Sequence, residues 1–582
     1  MRLKFIVILL LYSAGVWAQS KSGDFYQELG DPKPVDQGSW NLLKPGTYVS
    51  FVSADIRYDK RNAPAIFPLQ TQWQTKAWKG EKVHTQFLVW ATRNLQQISF
   101  EWSKLDDGKG HEIAAKNISA NFVRYVMADG LNSEGGGCGI QPGHDSSLVE
   151  DVIDQVKSLA LTKNTTRPVW LSINVPGSAT QGVYSGYVKV KEGKNKYAAM
   201  LHYTVQVLNH KLPEPAQWKF HLDLWQNPYS VARWYGVKPW SGQHFAIMRP
   251  YMKMLADAGQ KSITTTLIHD PWNSQTYDVY GSMVKWTKNR NGSWAYDYTV
   301  FDKWVTFMMS LGIDKFINCY SMIPWNLKFY YHDETLGKDT AIIAKPGTLA
   351  YDAHWRPMLT SFARHLKQKG WFAKTTIAMD ERSMADMQKA IALIKSADKD
   401  FKISLAGNYH PEIEKDLVDY SVASNQVIDS ATMLARKKAG FNTTYYTCCT
   451  EGHPNTFSFS ASVESAWLGW YAAYKGYDGY LRWAYNCWTK DALRDTRFRS
   501  WSSGDAYLVY PGLRTSIRFE RLIEGIQDYE KINVLKSRFM KENRRDKLHQ
   551  LQKILSGFDI SEAKNKSAGD VLQASQNDLN NL

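Results

Sequence analysis

An N-terminal β-sandwich followed by a (β/α)8 TIM-like barrel is the fold class this sequence predicts, and three observations predict it. Residues 19–210 show period-two hydrophobic alternation broken by turn residues. A proline-bearing stretch at 211–217 interrupts the pattern, and residues 218–535 then alternate eight strand-like runs with helical ones. The 582 residues, 44% hydrophobic and 22% charged, suit two or three globular domains and exclude a disordered or fibrous chain.

The elements follow in order. Residues 1–18 carry Arg2 and Lys4, an apolar run from Phe5 to Tyr12 and small residues up to Ala18. A basic end before an apolar core too short to remain as an anchor predicts a signal peptide, hence an exported protein, periplasmic or secreted. No cysteine stands directly after the expected cleavage point, so a lipid anchor there is not indicated, and no later segment reads as a membrane span. In 19–210, "RPVWLSINVPGSATQGVYSGYVKV" sets Val169, Leu171, Ile173 and Val175 on one face, turns, and resumes as a hairpin. "YAAMLHYTVQVL" alternates Leu201, Tyr203, Val205 and Val207 as a closing strand. Two prolines, Pro213 and Pro215, make 211–217 a stiff linker.

Beyond the linker, "WKFHLDLW", "KSITTTLI", "KFINCYSM", "TTIAMD", "KISLAG", "DYSVAS", "NTTYYTC" and "GYLRWAY" are the eight strand candidates. Helical patterns and long inserted loops separate them, which predicts a barrel; the competing open doubly wound sheet lacks a glycine-rich dinucleotide loop after its first strand. Residues 536–582 read as a C-terminal helix and a polar tail.

Net charge is +15, and much of the basic excess lies in "KSRFMKENRRDKLHQLQK", the solvated face of a helix rather than a nucleic-acid groove. The five cysteines are too few for a disulfide scaffold and form no CxxC metal pair. A bond from Cys487 to Cys448 or Cys449, and buried reduced thiols, both fit their spacing. Many of the 23 Trp and 32 Tyr stand in loops beside Asn, Asp and His, where flat rings with a polar edge suit sugar faces.

The fourth strand ends in "MDERS", with Asp380 and Glu381 side by side. Alone, such a pair is an ordinary solvated strand end. At the carboxyl end of a barrel strand, ringed by sugar-compatible groups, it becomes a candidate site. Successive strand residues face opposite sides, so the two carboxylates flank different atoms of a ligand, and their proximity tends to hold one protonated. The pair fits cleavage of a glycosidic bond in which a 2-acetamido group attacks its own anomeric carbon. Glu381 protonates the leaving oxygen and later activates water, while Asp380 orients the acetamide nitrogen and balances its developing charge.

Across "VWLSINVPGSATQGVYSG", "HLDLWQNP", "MDERS", "GYDGYLRWAYNCW", "GDAYLVYPG" and "IRFERLIEGIQDYE", the chain resembles the glycoside hydrolase family 123 β-N-acetylgalactosaminidases. The resemblance covers nearly the whole mature chain. It implies an exported hydrolase with a sandwich and a (β/α)8 domain, substrate-assisted retention by an Asp-Glu pair matched by Asp380 and Glu381, and release of terminal β-linked N-acetylgalactosamine from oligosaccharide or glycolipid. His269, Trp325, Asn408, Tyr446, Trp483, Tyr485 and Trp488 are the candidates to hold the sugar, Tyr446 as a donor to the acetamide oxygen. No cofactor or metal, no nucleic acid and no stable membrane insertion are expected. Two rivals stay open: a retaining barrel enzyme with Glu381 as acid/base and Glu451 as nucleophile, and a glycan-binding protein without catalysis.

Overall fold

The computed structural model describes residues 26–129, 145–193, 196–565 and 567–582. The expected signal peptide and the glycine loop at 134–139 lie outside the described residues.

The first domain is two stacked sheets. One runs Thr47–Val52, Lys82–Ala91, Thr165–Asn174, Ile118–Ala128, Ser147–Asp154; the other is built on Gln72–Lys79, Lys196–Lys211, Gly182–Glu192, Leu95–Trp102 and Ser158–Leu161. In Lys196–Lys211 the alternation is as read, with Leu201, Tyr203, Val205 and Val207 buried in the inter-sheet core. Thr165–Asn174 differs: nine of its ten residues are buried, so both faces are covered. Val169, Leu171 and Ile173 face the core between the sheets, while Trp170 packs with Val123, Ile153 and Ile517. Ile517 comes from the second domain. The sheet's outer face is thus an interface, which one strand's alternation does not reveal.

The second domain is an eight-stranded parallel sheet of β1 (His221–Leu224), β2 (Ser262–Thr266), β3 (Phe316–Tyr320), β4 (Thr375–Met379), β5 (Lys402–Gly407), β6 (Leu417–Ala423), β7 (Asn442–Tyr446) and β8 (Gly479–Arg482). All eight expected strands are present, paired in the cyclic order β1-β8-β7-β6-β5-β4-β3-β2. The seam between β1 and β2 carries a single bridge, Leu222 to Gln260. Side chains supplement it: Gln260 accepts from Leu224 N at 2.9 Å and donates to Ser262 O at 2.8 Å, while Gln226 accepts from Thr264 N at 3.0 Å. Gly479 is required where β8 meets β1, because a Cβ there would lie 2.1 Å from the His221 carbonyl oxygen.

Inside the barrel the layer is polar, formed by His221, Asp223, Asn318, Thr376, Ser404 and Asp419, all buried. Asn318 donates to Asp223 at 3.1 Å and accepts from Thr376 at 2.8 Å. Beside the mouth, the loops after β2 and β3 form a small sheet of Lys285–Lys288, Trp294–Asp297, Lys328–Asp333 and Lys338–Ile343. Trp286 anchors it by stacking on His354 of the helix Leu349–Lys369, with ring centres 4.5 Å apart.

The two domains interlock. After β8 the chain returns to the sandwich and adds Thr515–Ser516 to the edge of its first sheet. Buried ion pairs cross the interface: Arg518 to Asp151 at 2.8 Å, Arg514 to Asp154 at 2.7 Å and Lys531 to Glu81 at 2.5 Å. The expected polar tail is instead a further helix, Ala568–Asn581, seated through Leu572 and Leu579. Its few apolar side chains are too sparse to stand out in a polar sequence. Cys487 makes no bond to 448 or 449: Cys319, Cys448 and Cys487 are free thiols, and Cys449 is disulfide-bonded. Among the described residues, no helix is long and apolar enough to cross a membrane.

Candidate active site

β4 ends at Met379, and the following turn, closed by Ser383 capping the helix Met384–Ala397, projects the two carboxylates at the barrel mouth. Their environments diverge. Asp380 is only 8% exposed, whereas Glu381 is exposed. Asp380 Oδ2 accepts from the Trp325 indole at 3.1 Å, and Oδ1 lies 2.8 Å from Arg382 Nη2. Burial pushes the Asp380 carboxyl up to about 6, against the pull of the Arg382 guanidinium and the Trp325 hydrogen bond. Ionised Asp380 therefore prevails at neutral pH and gives way below about 6.

Glu381 accepts a hydrogen bond from the Tyr446 hydroxyl, carried by the last residue of β7. Burial, reinforced by the Glu381 charge, holds that phenol far above its ordinary range, so it stays a neutral donor. Beside Glu381 a cleft of about 360 Å³ opens between the β4 and β5 loops, walled by Trp325, Arg382, Ser383, Asn408 and His410. An apolar floor of Met387 and Leu405 and a polar rim suit one pyranose ring.

Trp325 and Asn408 thus stand with the acid pair, and Tyr446 touches it. His269 is exposed after β2, edge-on to Tyr330 of the small sheet at 5.2 Å, on the flank of the mouth. Trp483, directly after β8, is partly exposed and donates to Asp505 at 3.1 Å. Two candidates go elsewhere. Tyr485 and Trp488 are fully buried, with their polar atoms given to the Tyr251 and Val509 carbonyls. Both fill the core around the β8 loop, because the chain turns inward after β8 toward the sandwich.

Arg382 was legible but unread: it directly follows the pair in "MDERS". Asp505 could not be found that way, since it lies 23 residues beyond its partner Arg482 in an irregular loop. Trp225, Trp272 and Tyr320 form a buried aromatic cluster at the ends of β1 to β3, with centres 4.5–5.2 Å apart. Glu451 turns back on its own loop, with Oε2 accepting from Cys448 N at 2.7 Å. Among the described residues no three His, Cys, Asp or Glu side chains group as a metal site.

Comparison with known proteins agrees in extent and in kind. A family model for the glycoside hydrolase 123 catalytic domain matches residues 225–535, and one for the glycoside hydrolase 123 N-terminal domain matches 51–192. A solved structure of a family 123 glycoside hydrolase from Clostridium perfringens, described in a study of glycolipid glycan hydrolysis, is 28% identical, with a TM-score of 0.83. It covers 92% of this chain and 97% of its own. Likeness to the N-terminal domain of PorA is slight, at 9% identity over 28% of this chain and 99% of that one, with a TM-score of 0.15. No curated protein matches the sequence.

Proposed function

The chain belongs to glycoside hydrolase family 123, and from that premise we propose that it releases terminal β-linked N-acetylgalactosamine from oligosaccharides or glycolipids. Retention follows from attack by the substrate's own acetamido oxygen, giving an oxazolinium intermediate. The observation that carries this reading is the division of labour between adjacent carboxylates: Asp380 buried and clamped by Arg382 and Trp325, Glu381 exposed beside an open cleft. A clamped, ionised acid suits a charge partner for the acetamide nitrogen. An exposed one suits proton traffic with the leaving oxygen and then with water.

In the first step the acetamide oxygen bonds to the anomeric carbon, the glycosidic bond breaks, and the Glu381 proton passes to the leaving oxygen. In the second, Glu381 takes a proton from water as the water oxygen attacks the anomeric carbon and the ring opens. The Tyr446 hydroxyl, neutral and bonded to Glu381, supplies a donor for the acetamide oxygen once substrate displaces that bond. The glycolipid work on the C. perfringens relative supports a glycan substrate of that class. The disulfide at Cys449 fits an oxidising compartment and, with the basic and apolar amino terminus, supports export.

The test is a chromogenic panel of aryl β-N-acetylgalactosaminide, β-N-acetylglucosaminide and β-galactoside. Turnover of the first above the second, with none of the third, is expected. Efficient cleavage of the β-galactoside would sink the reading.

A further inference from the structure

We infer that Arg382 is a positioning residue for the reaction proposed above, on which this inference rests: it aims the Asp380 carboxylate at the substrate amide and locks Trp325 beside it. Its side chain is 8% exposed and folds back under the pair. Nε donates to the Ile323 carbonyl at 2.6 Å and Nη1 to the Glu381 carbonyl at 2.6 Å. Nη2 meets Asp380 Oδ1 at 2.8 Å, and the guanidinium carbon lies over the Trp325 ring, 4.1 Å from its centre. Nε and Nη1 are held by carbonyls and Nη2 is paired with Asp380, so the guanidinium, although its side chain also walls the cleft, influences the reaction through Asp380 and Trp325.

The fork joins two loops. Ile323 and Trp325 belong to the loop after β3, Asp380 and Glu381 to the turn after β4. With Arg382 on one oxygen of Asp380 and the Trp325 indole on the other, the carboxylate cannot rotate without breaking a bond. Oδ1 is sealed from solvent, and Oδ2 keeps a lone pair for an incoming N–H. Lysine matches the charge but not the planar fork or the stacking.

The charged and titratable groups facing Asp380 are Arg382 and Glu381 on its own turn and the phenol of Tyr320 on β3. Burial and Glu381 favour the neutral acid; Arg382 opposes both. Loss of the guanidinium therefore raises the pH at which Asp380 becomes an anion, and a purely architectural arginine would not.

The test uses the full chain and the pH dependence of kcat and kcat/KM on an aryl β-N-acetylgalactosaminide. Arg382→Gln should move the acid limb up by about one pH unit. It should lower kcat at pH 7 by roughly tenfold or more, with KM within about twofold. Arg382→Lys should return the limb toward wild type but recover only part of kcat. Trp325→Phe keeps the ring and removes the N–H, so its limb should rise less; it carries the test if Arg382→Gln does not fold. An unmoved acid limb in folded Arg382→Gln, or in Trp325→Phe, would overturn the inference. Wild-type enzyme inert toward 2-acetamido glycosides would overturn the reading beneath it, a separate result.

Discussion

Glu381 stands at the mouth with one oxygen on the Tyr446 hydroxyl, while Asp380, one peptide bond away, is buried between a guanidinium and an indole. Sequence reasoning singled out both because two acids close a strand that also ends a barrel motif. It missed how they differ, since exposure depends on the β3 loop reaching over from some 55 residues upstream. Tyr485 and Trp488 show the same limit from the other side. Composition marks them as sugar-compatible, yet their hydrogen bonds to the Tyr251 and Val509 carbonyls place them in the core. If Glu381 is the proton donor, Glu381→Gln should lower kcat by about 10³-fold on a natural oligosaccharide. The loss should be far smaller on a dinitrophenyl glycoside, whose leaving group needs no proton. Steady-state rates on the two substrates check this, and equal losses would reassign Glu381.

At the scale of elements, the strands were the most legible feature. Most of the eight are short runs rich in β-branched or aromatic residues and bounded by turn residues, and period and punctuation are local properties. Closure was not legible: the β1/β2 seam depends on Gln226 and Gln260 side chains, and no pattern announces side chains that supplement a backbone ladder. Helix packing was equally hidden. The helices Ser462–Lys475 and Ile517–Lys541 cross at Gly469 and Gly525, where a Cβ on Gly469 would lie 2.0 Å from the Gly525 carbonyl oxygen. Backbone blocks the space, so the helices must separate. Gly469→Ala should destabilise the fold by about 3 kcal/mol, read from urea or thermal unfolding, while Gly242→Ala, at an exposed position with open space around a Cβ, should do much less.

For the whole molecule, the polar barrel interior links stability to pH. Burial, then the Asp419 charge, pushes the Asp223 carboxyl up to about 7, so its anion costs stability that its acid does not. With the folded value above the unfolded one, the native state gains from protonation, and stability falls as pH rises toward 7. His221 is also raised, by Asp419 prevailing over burial; its contribution is full below the ordinary histidine value and fades as pH climbs through the folded one. Both act in one direction. Tm should therefore fall between pH 6 and 8, and Asp223→Asn should flatten the fall and gain on the order of 2 kcal/mol at pH 8. An unchanged slope in that variant would assign the dependence elsewhere. Arg518 to Asp151, and the strand Thr515–Ser516 returning to the sandwich, tie the barrel to the first domain. The most direct measurement is kcat/KM across aryl β-galactosaminides bearing N-acetyl, N-fluoroacetyl and N-trifluoroacetyl groups, with Asp380→Asn in parallel. Attack by the substrate's amide oxygen predicts a steep fall with each fluorine, because the oxygen loses nucleophilicity, and a shallower fall in the variant. A flat series, or a glycosyl adduct trapped on Glu451, would contradict it.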